Sequence, residues 1–499
     1  MDNRRLILLL VFAFSLVMLW DGWQKQHQPK VAATAAANST AGVPTPTPSA
    51  TAGPAAVPGQ PAAAPVSAPV ATIRTDVLVA EVSAQGGDIV RLELTRHKST
   101  EDSSRNYVLF DKGEKHLYSA QTGLIGNGLP NHKTLFTLGA ANVELKDGED
   151  AVTLRLEAPP TADGVKVVKL ITFHRGSYTI GVKHELTNVS AAPITPQIYL
   201  QLLRDGNPPE GQSTSMFSST GFTYTGPAVY TEAKKFQKVE FSDIEKNKAE
   251  FEHGAANGYV AMVQHYFASA WLLADGVQRN LFMRKVDTNL YSVGMITTVA
   301  DIAPGATKAL ESRLFVGPQE EKMLERLAPG LELVKDYGWL TILAKPLYWL
   351  LEKIHGVLGN WGWAIVGLVV LLKIAFYWLN AKAYASMAKM KAINPKVMAL
   401  RDRLKDNPQQ MQQEMMKIYR EEKVNPLGGC FPIMVQIPVF IALYWVLLSS
   451  VEMRNAPWAL WIHDLSLPDP YFILPIVMTL TTLLQTALNP APPDPLQAK

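Results

Sequence analysis

Between Trp361 and Leu379 the chain is apolar except for one charge, Lys373, and no other feature constrains the fold as strongly. At ~1.5 Å per residue a helix of that length approaches the ~30 Å hydrocarbon core of a bilayer. Trp361 and Trp363 stand at one end and Tyr377 and Trp378 at the other, where an interfacial aromatic belt would sit. Two more apolar stretches follow. Cys430 to Ser449 contains Pro432, Gln436 and Pro438, and Tyr471 to Leu488 contains Gln485. Proline is tolerated in bilayer helices where neighbours satisfy the freed carbonyls. The C-terminal third thus reads as an α-helical multi-span membrane core, with spans over 361–381, 430–450 and 471–488.

The loops orient these spans. Residues 382–427 are helical in pattern and basic, with Lys382, Lys389, Lys391, Lys396, Arg401 and Arg403 among their cations, which is the mark of a cytoplasmic segment. Asn394-Pro395 and Asn407-Pro408 each read as an N-cap followed by proline at the first helical position. The spacing predicts a cytoplasmic helical hairpin turning near Asp406. Residues 451–470 carry Trp458-Ala-Leu-Trp461 and one basic residue, Arg454, and read as a periplasmic loop. At the other end, Arg4 and Arg5 precede apolar Leu6 to Trp20, which at ~1.5 Å per residue is short for a span. Segment 1–23 is either a signal peptide cut near Val31 to Ala37 or a retained anchor held by Trp20 and Trp23. The retained anchor is favoured, with the N-terminus in the cytoplasm.

Residues 24–72 are rich in Ala, Pro, Thr and Ser, hold almost no charge, and read as a disordered tether. The period then changes to two: Val90, Leu92 and Leu94 alternate with Arg91, Glu93 and Thr95, and Val152, Leu154 and Leu156 with Thr153, Arg155 and Glu157. Turn signals such as Gln85-Gly-Gly-Asp88 and Ala162-Asp-Gly-Val165 separate such runs, so 73–337 is expected to be an all-β, antiparallel sandwich. Its last part, Gln319 to Lys335, has the spacing of one helix packed on that sandwich. Segment 340–358 reads as an interfacial amphipathic helix, interrupted by Lys345, Glu352 and Lys353, and 489–499 as a Pro- and Ala-rich tail.

Composition excludes some functions. The 47 basic and 44 acidic residues leave a net charge of +3, so no field marks a nucleic-acid binder and no nucleic-acid specificity is expected. The single cysteine, Cys430, excludes an internal disulfide and, with no activating base beside it, reads as a small buried residue. His174, His184, His253 and His265 show no metal or acid–base spacing, and no nucleophile elbow or phosphate loop is present. No catalytic residue, cofactor or metal is expected. A carbohydrate enzyme in the β domain and a solute transporter in the helices are the rival classes, the second opposed by the uniformly apolar Trp363 to Leu372.

Several runs carry a specific resemblance: Gln264-His-Tyr-Phe-Ala-Ser-Ala-Trp271, Gly359-Asn-Trp-Gly362, Ser386-Met-Ala-Lys-Met390, Asn425-Pro-Leu-Gly-Gly-Cys-Phe-Pro432 and Ala459-Leu-Trp-Ile-His-Asp-Leu465. With the order of segments, they make the chain resemble the YidC family over nearly its whole length. The resemblance implies a membrane protein insertase and chaperone that receives nascent membrane proteins, alone or beside the Sec translocon. It also implies a periplasmic β-supersandwich like that of galactose mutarotases. The family carries five spans after that domain, whereas three are read here, so the last two are expected to be missing. Lys373 stands where the family often has arginine.

Lys373 lies nine residues before Lys382, ~13 Å along a straight helix, beyond comfortable snorkelling reach. A cation at that depth costs ~3 kcal/mol or more unless it faces water or a partner. It is either a snorkelling residue on a tilted helix or the charge of a hydrated groove that attracts an incoming substrate. Gln436 either lines that groove or bonds a neighbouring helix. Ile437, Phe440 and Tyr444 share one helix face. By resemblance this face is the slide for a substrate helix, and the alternative is packing against the last span. Six hairpin methionines, Met387, Met390, Met398, Met411, Met415 and Met416, suit either core packing or a surface that takes varied apolar segments. The basic residues suit membrane lipids, with a ribosome or signal-recognition receptor contact as a further option.

Overall fold

The computed structural model describes residues 68–488 apart from 114–115, 127, 210–222, 405–406 and 423–430. The expected anchor, most of the tether, the Asn425-to-Cys430 turn and the tail lie outside the described residues. Those described fall into two compact units, one drawn from Thr40–Ile365 and Ile441–Pro468, the other from Val366–Phe440 and Asp469–Lys499.

In the first unit, period-two runs build a β-sandwich whose described strands form one ten-stranded and one nine-stranded sheet. Pairing is antiparallel throughout except where Val70–Arg74 runs parallel to Asn142–Glu144. Val152, Leu154 and Leu156 point into the core while Thr153 and Arg155 face out, as the alternation requires. One expected inward residue departs. Ile89 pairs with Val82 and Arg91 with Glu81, so Val90 is the extra residue of a bulge and stays half-buried, while Ile89 takes the core position. Strands Tyr259–Val263 and Phe267–Leu272 are buried at every residue and pair with each other in the interior of the nine-stranded sheet.

Two boundaries differ from expectation. The strand Val70–Arg74 starts inside the stretch read as tether, because Val70 to Arg74 pair with Ser83 to Val79. The single helix expected over Gln319 to Lys335 is broken. A short helix α1, Phe241–Glu245, lies earlier in the domain, and α2 covers only Glu321–Leu327. Pro329 and Gly330, the latter at φ +74, end it, and a separate 3-10 turn, Leu331–Val334, follows. The apolar positions still reach their target, since Leu324, Leu331 and Val334 are in the sandwich core. Helix α3, Thr341–Leu358, buries Ala344, Leu347, Tyr348 and Leu351 and leaves Ile342, Trp349 and Val357 exposed.

The remaining helices are α4 (Trp361–Ala375), α5 (Tyr377–Arg403), α6 (Pro408–Glu421), α7 (Phe431–Ser449) and α8 (Ile473–Leu488). The run expected as one span through residue 381 is divided at Phe376, where α4 and Tyr377–Ser386 meet at 57°. Helices α5 and α6 are linked by Lys396–Glu422 at 2.5 Å and Arg403–Glu414 at 3.6 Å. Asn407 caps α6 by accepting a hydrogen bond from Gln410 N at 3.3 Å, with Pro408 first in the helix. Asn394-Pro395 starts no helix: Pro395 lies within α5. Among the described residues no single helix is long and apolar enough to cross a membrane, but the bent pair around Phe376 passes that test together.

Candidate functional site: a bare lysine and an uncovered helix face

The bend changes the setting of Lys373. It lies in the last turn of α4, just before the break, so its charge meets the negative end of that helix's dipole. The straight-helix distance to Lys382 therefore does not describe its surroundings. Among the described residues no carboxylate pairs with it, and its Nζ lies 5.5 Å from the centroid of the Phe440 ring. Lys373 itself is exposed.

On α7 the other expected residues divide by face. Met434, Ile437, Ile441 and Tyr444 form an exposed apolar stripe, with Ile437 50% and Tyr444 51% exposed. Ala442, Leu443 and Val446 are buried on the opposite side. Phe440 and Gln436 are half-buried, and Gln436 makes no hydrogen bond to a described residue. Lys373 and Phe440 are thus brought together, and Ile437 and Tyr444 share the stripe. Helix α8 shows no buried face: every residue from Ile473 to Thr486 is exposed. In the hairpin, Met411 and Met415 are half-buried while Met398 and Met416 are exposed, so both expected roles have candidates.

The Gly359-Asn-Trp-Gly362 run, which carries no visible chemistry in the sequence, has a geometric cause. Gly359, at φ +66, ends α3 in the left-handed region, and Trp361 stacks on His355 with centroids 3.8 Å apart. Asn360 accepts from Trp363 N at 3.1 Å, capping α4, and donates to the carbonyls of Pro457 and Trp458 at 3.0 and 3.1 Å. A Cβ on Gly362 would overlap the Cβ, Cγ and Cδ1 of Trp458. The 264–271 run is likewise structural: Tyr107 donates to Gln264 Oε1 at 3.0 Å, and Trp271 Nε1 donates to Gln201 O at 3.0 Å. Arg454 donates to Lys98 O at 2.7 Å and lies over the rings of Tyr107, Tyr266 and Phe267. Burial, reinforced by Arg454, pushes His97 and His265 down to about 4. His184 is buried 3.0 Å from Thr122 Oγ1, whereas His174 and His253 are exposed, so the four histidines singled out in the sequence do not converge. Among the described residues no group of three or more His, Cys, Asp or Glu is placed to hold a metal.

A large β-sandwich followed by apolar helices, one bearing a cation with no carboxylate partner among the described residues, is the arrangement expected of a membrane protein with a large extramembranous domain. Residues 70–350 match the family described as YidC periplasmic domain, and 353–499 the 60Kd inner membrane protein family. The membrane protein insertase YidC of Aromatoleum aromaticum is 56% identical over 506 residues, covering 100% of this chain and 90% of that one. Those of Burkholderia ambifaria and Dechloromonas aromatica are 51% and 53% identical, again covering 100% of this chain and 91% and 90% of theirs. The chain belongs to the YidC family of membrane protein insertases. It is an inner-membrane protein with a periplasmic β domain, acts on nascent membrane proteins, and is an insertase, not an enzyme.

Proposed function

We propose that this chain moves hydrophobic segments of nascent proteins from the cytoplasm into the inner membrane through a hydrated, positively charged groove. Lys373 supplies the charge. Gln436 lines the polar side, and Ile437, Phe440 and Tyr444 present the apolar face along which a substrate helix leaves. One observation carries the proposal: a lysine without a carboxylate partner among the described residues, in an otherwise apolar helix, beside an aromatic ring. Such a cation persists in a bilayer only where water reaches it, because dry burial costs ~3 kcal/mol or more. The positive-inside pattern supports a cytoplasmic N-terminus at 1–23 and a cytoplasmic hairpin at 382–427, with 451–470 periplasmic. The exposed face of α3 suits the membrane interface. The cations of 382–427 suit anionic lipids and, when substrate is delivered, a ribosome or signal-recognition receptor. The groove works alone or with the Sec translocon.

The test is insertion of a short single-span substrate by full chain in proteoliposomes. Lys373→Ala is expected to slow insertion roughly tenfold, a loss on the order of 1.4 kcal/mol, with Lys373→Arg close to the parent. Unchanged insertion by the alanine variant removes the charge from the mechanism.

A further inference from the structure

The β domain contains a lysine whose side chain is fully buried and whose partner lies far along the chain. Lys335 Nζ is 3.5 Å from Glu452 Oε2, and neither atom makes a hydrogen bond. The ring of Tyr348 lies 4.0 Å from that ammonium, and the same tyrosine's hydroxyl donates to Glu452 Oε1 at 2.6 Å. Around this centre, Tyr337 donates to Glu321 Oε2 at 2.8 Å, Lys345 approaches Glu321 at 3.7 Å, and Lys322 pairs with Glu352 at 2.6 Å. Three segments therefore meet here: the end of the β domain, helix α3 and the loop that follows α7.

A buried ion pair is a poor source of stability, because desolvation offsets most of its attraction. It is an effective constraint on geometry, since any shift of one partner leaves both charges bare. Its placement in the chain gives that constraint a use. Lys335 lies a few residues before α3, which runs into α4 through Gly359, and Glu452 lies in the 3-10 turn Val451–Met453 just past α7. Asn360 and Arg454 fasten the same loop at two further points.

We propose that Lys335, Glu452 and Tyr348 are positioning residues for insertion: they hold the start of α4 and the end of α7 in one fixed arrangement while a substrate segment passes. This holds whether or not Lys373 is the cation that meets substrate, because it concerns rate after capture and not capture itself.

The experiment uses full chain in proteoliposomes and reads two quantities: photocrosslinking of a ribosome-stalled substrate, and the insertion rate per folded molecule. Glu452→Gln keeps the acceptor for Tyr348 but removes the charge, and Lys335→Met keeps the buried stem. Each is expected to slow insertion roughly fivefold while capture changes less than about twofold, and the double variant, in which no charge is left bare, to regain thermal stability yet stay at least about threefold slow because the constraint is gone. Tyr348→Phe, which removes only one hydrogen bond, is expected to fold normally and slow insertion about twofold. Single variants that insert at the parental rate, capture that falls in step with insertion, or a double variant that regains the parental rate would each overturn the proposal. So would variants that lose thermal stability yet insert normally per folded molecule.

Discussion

Two lysines separate what a sequence displays from what only a fold reveals. Lys373 stands out because its neighbours are apolar, and a charge in such a run is anomalous on any helical reading. Lys335 sits in a stretch of mixed polarity and looks like a surface residue, yet its side chain is buried against a carboxylate from a distant loop. No local pattern carries that pairing. Gly362 is intermediate: the motif around it was visible, its cause was not. Replacing it by alanine sets two effects against each other. Helix propensity favours alanine by ~1 kcal/mol, while overlap with the Trp458 indole costs ~1–3 kcal/mol because the atoms met lie at the root of that side chain. Net destabilisation is expected, seen as a lower thermal midpoint of the detergent-solubilised chain. A raised midpoint would mean that Trp458 yields and that the close approach is not required.

At the scale of elements, the type of structure was legible and its interruptions were not. Asn394-Pro395 and Asn407-Pro408 are the same dipeptide in similar company, but only the second begins a helix. In α5 the helix continues through Pro395 despite the lost donor, so the local signal did not decide the outcome. The bend at Phe376 was invisible for the reverse reason, since an apolar run reads the same straight or bent. On α7 the three-and-four spacing of Ile437, Phe440 and Tyr444 located a face, and the structure leaves Ile437 and Tyr444 on it uncovered. Photocrosslinkers placed at these two positions are expected to capture a stalled substrate helix, whereas one at Val446, buried on the opposite side, is expected to capture none. Equal capture at all three sites, or none at any, would count against the stripe as the path of exit.

For the whole molecule, alternation of apolar and polar residues was enough to mark a large β domain, and it misplaced the ends by a few residues where a strand and a proline–glycine break lay outside the periodic runs. The membrane role was legible from the apolar runs and the family resemblance, because the bilayer restricts sequences more severely than water does. The account depends on water reaching the Lys373 ammonium from the cytoplasmic side. The most direct measurement places a thiol one turn away, Val370→Cys in a Cys430→Ser background, and times its reaction with a membrane-impermeant maleimide in inside-out vesicles of full chain. Labelling at a rate near that of an exposed hairpin position, with Leu480→Cys on α8 protected by lipid, is the predicted result. A thiol that reacts only after detergent is added would contradict a hydrated groove.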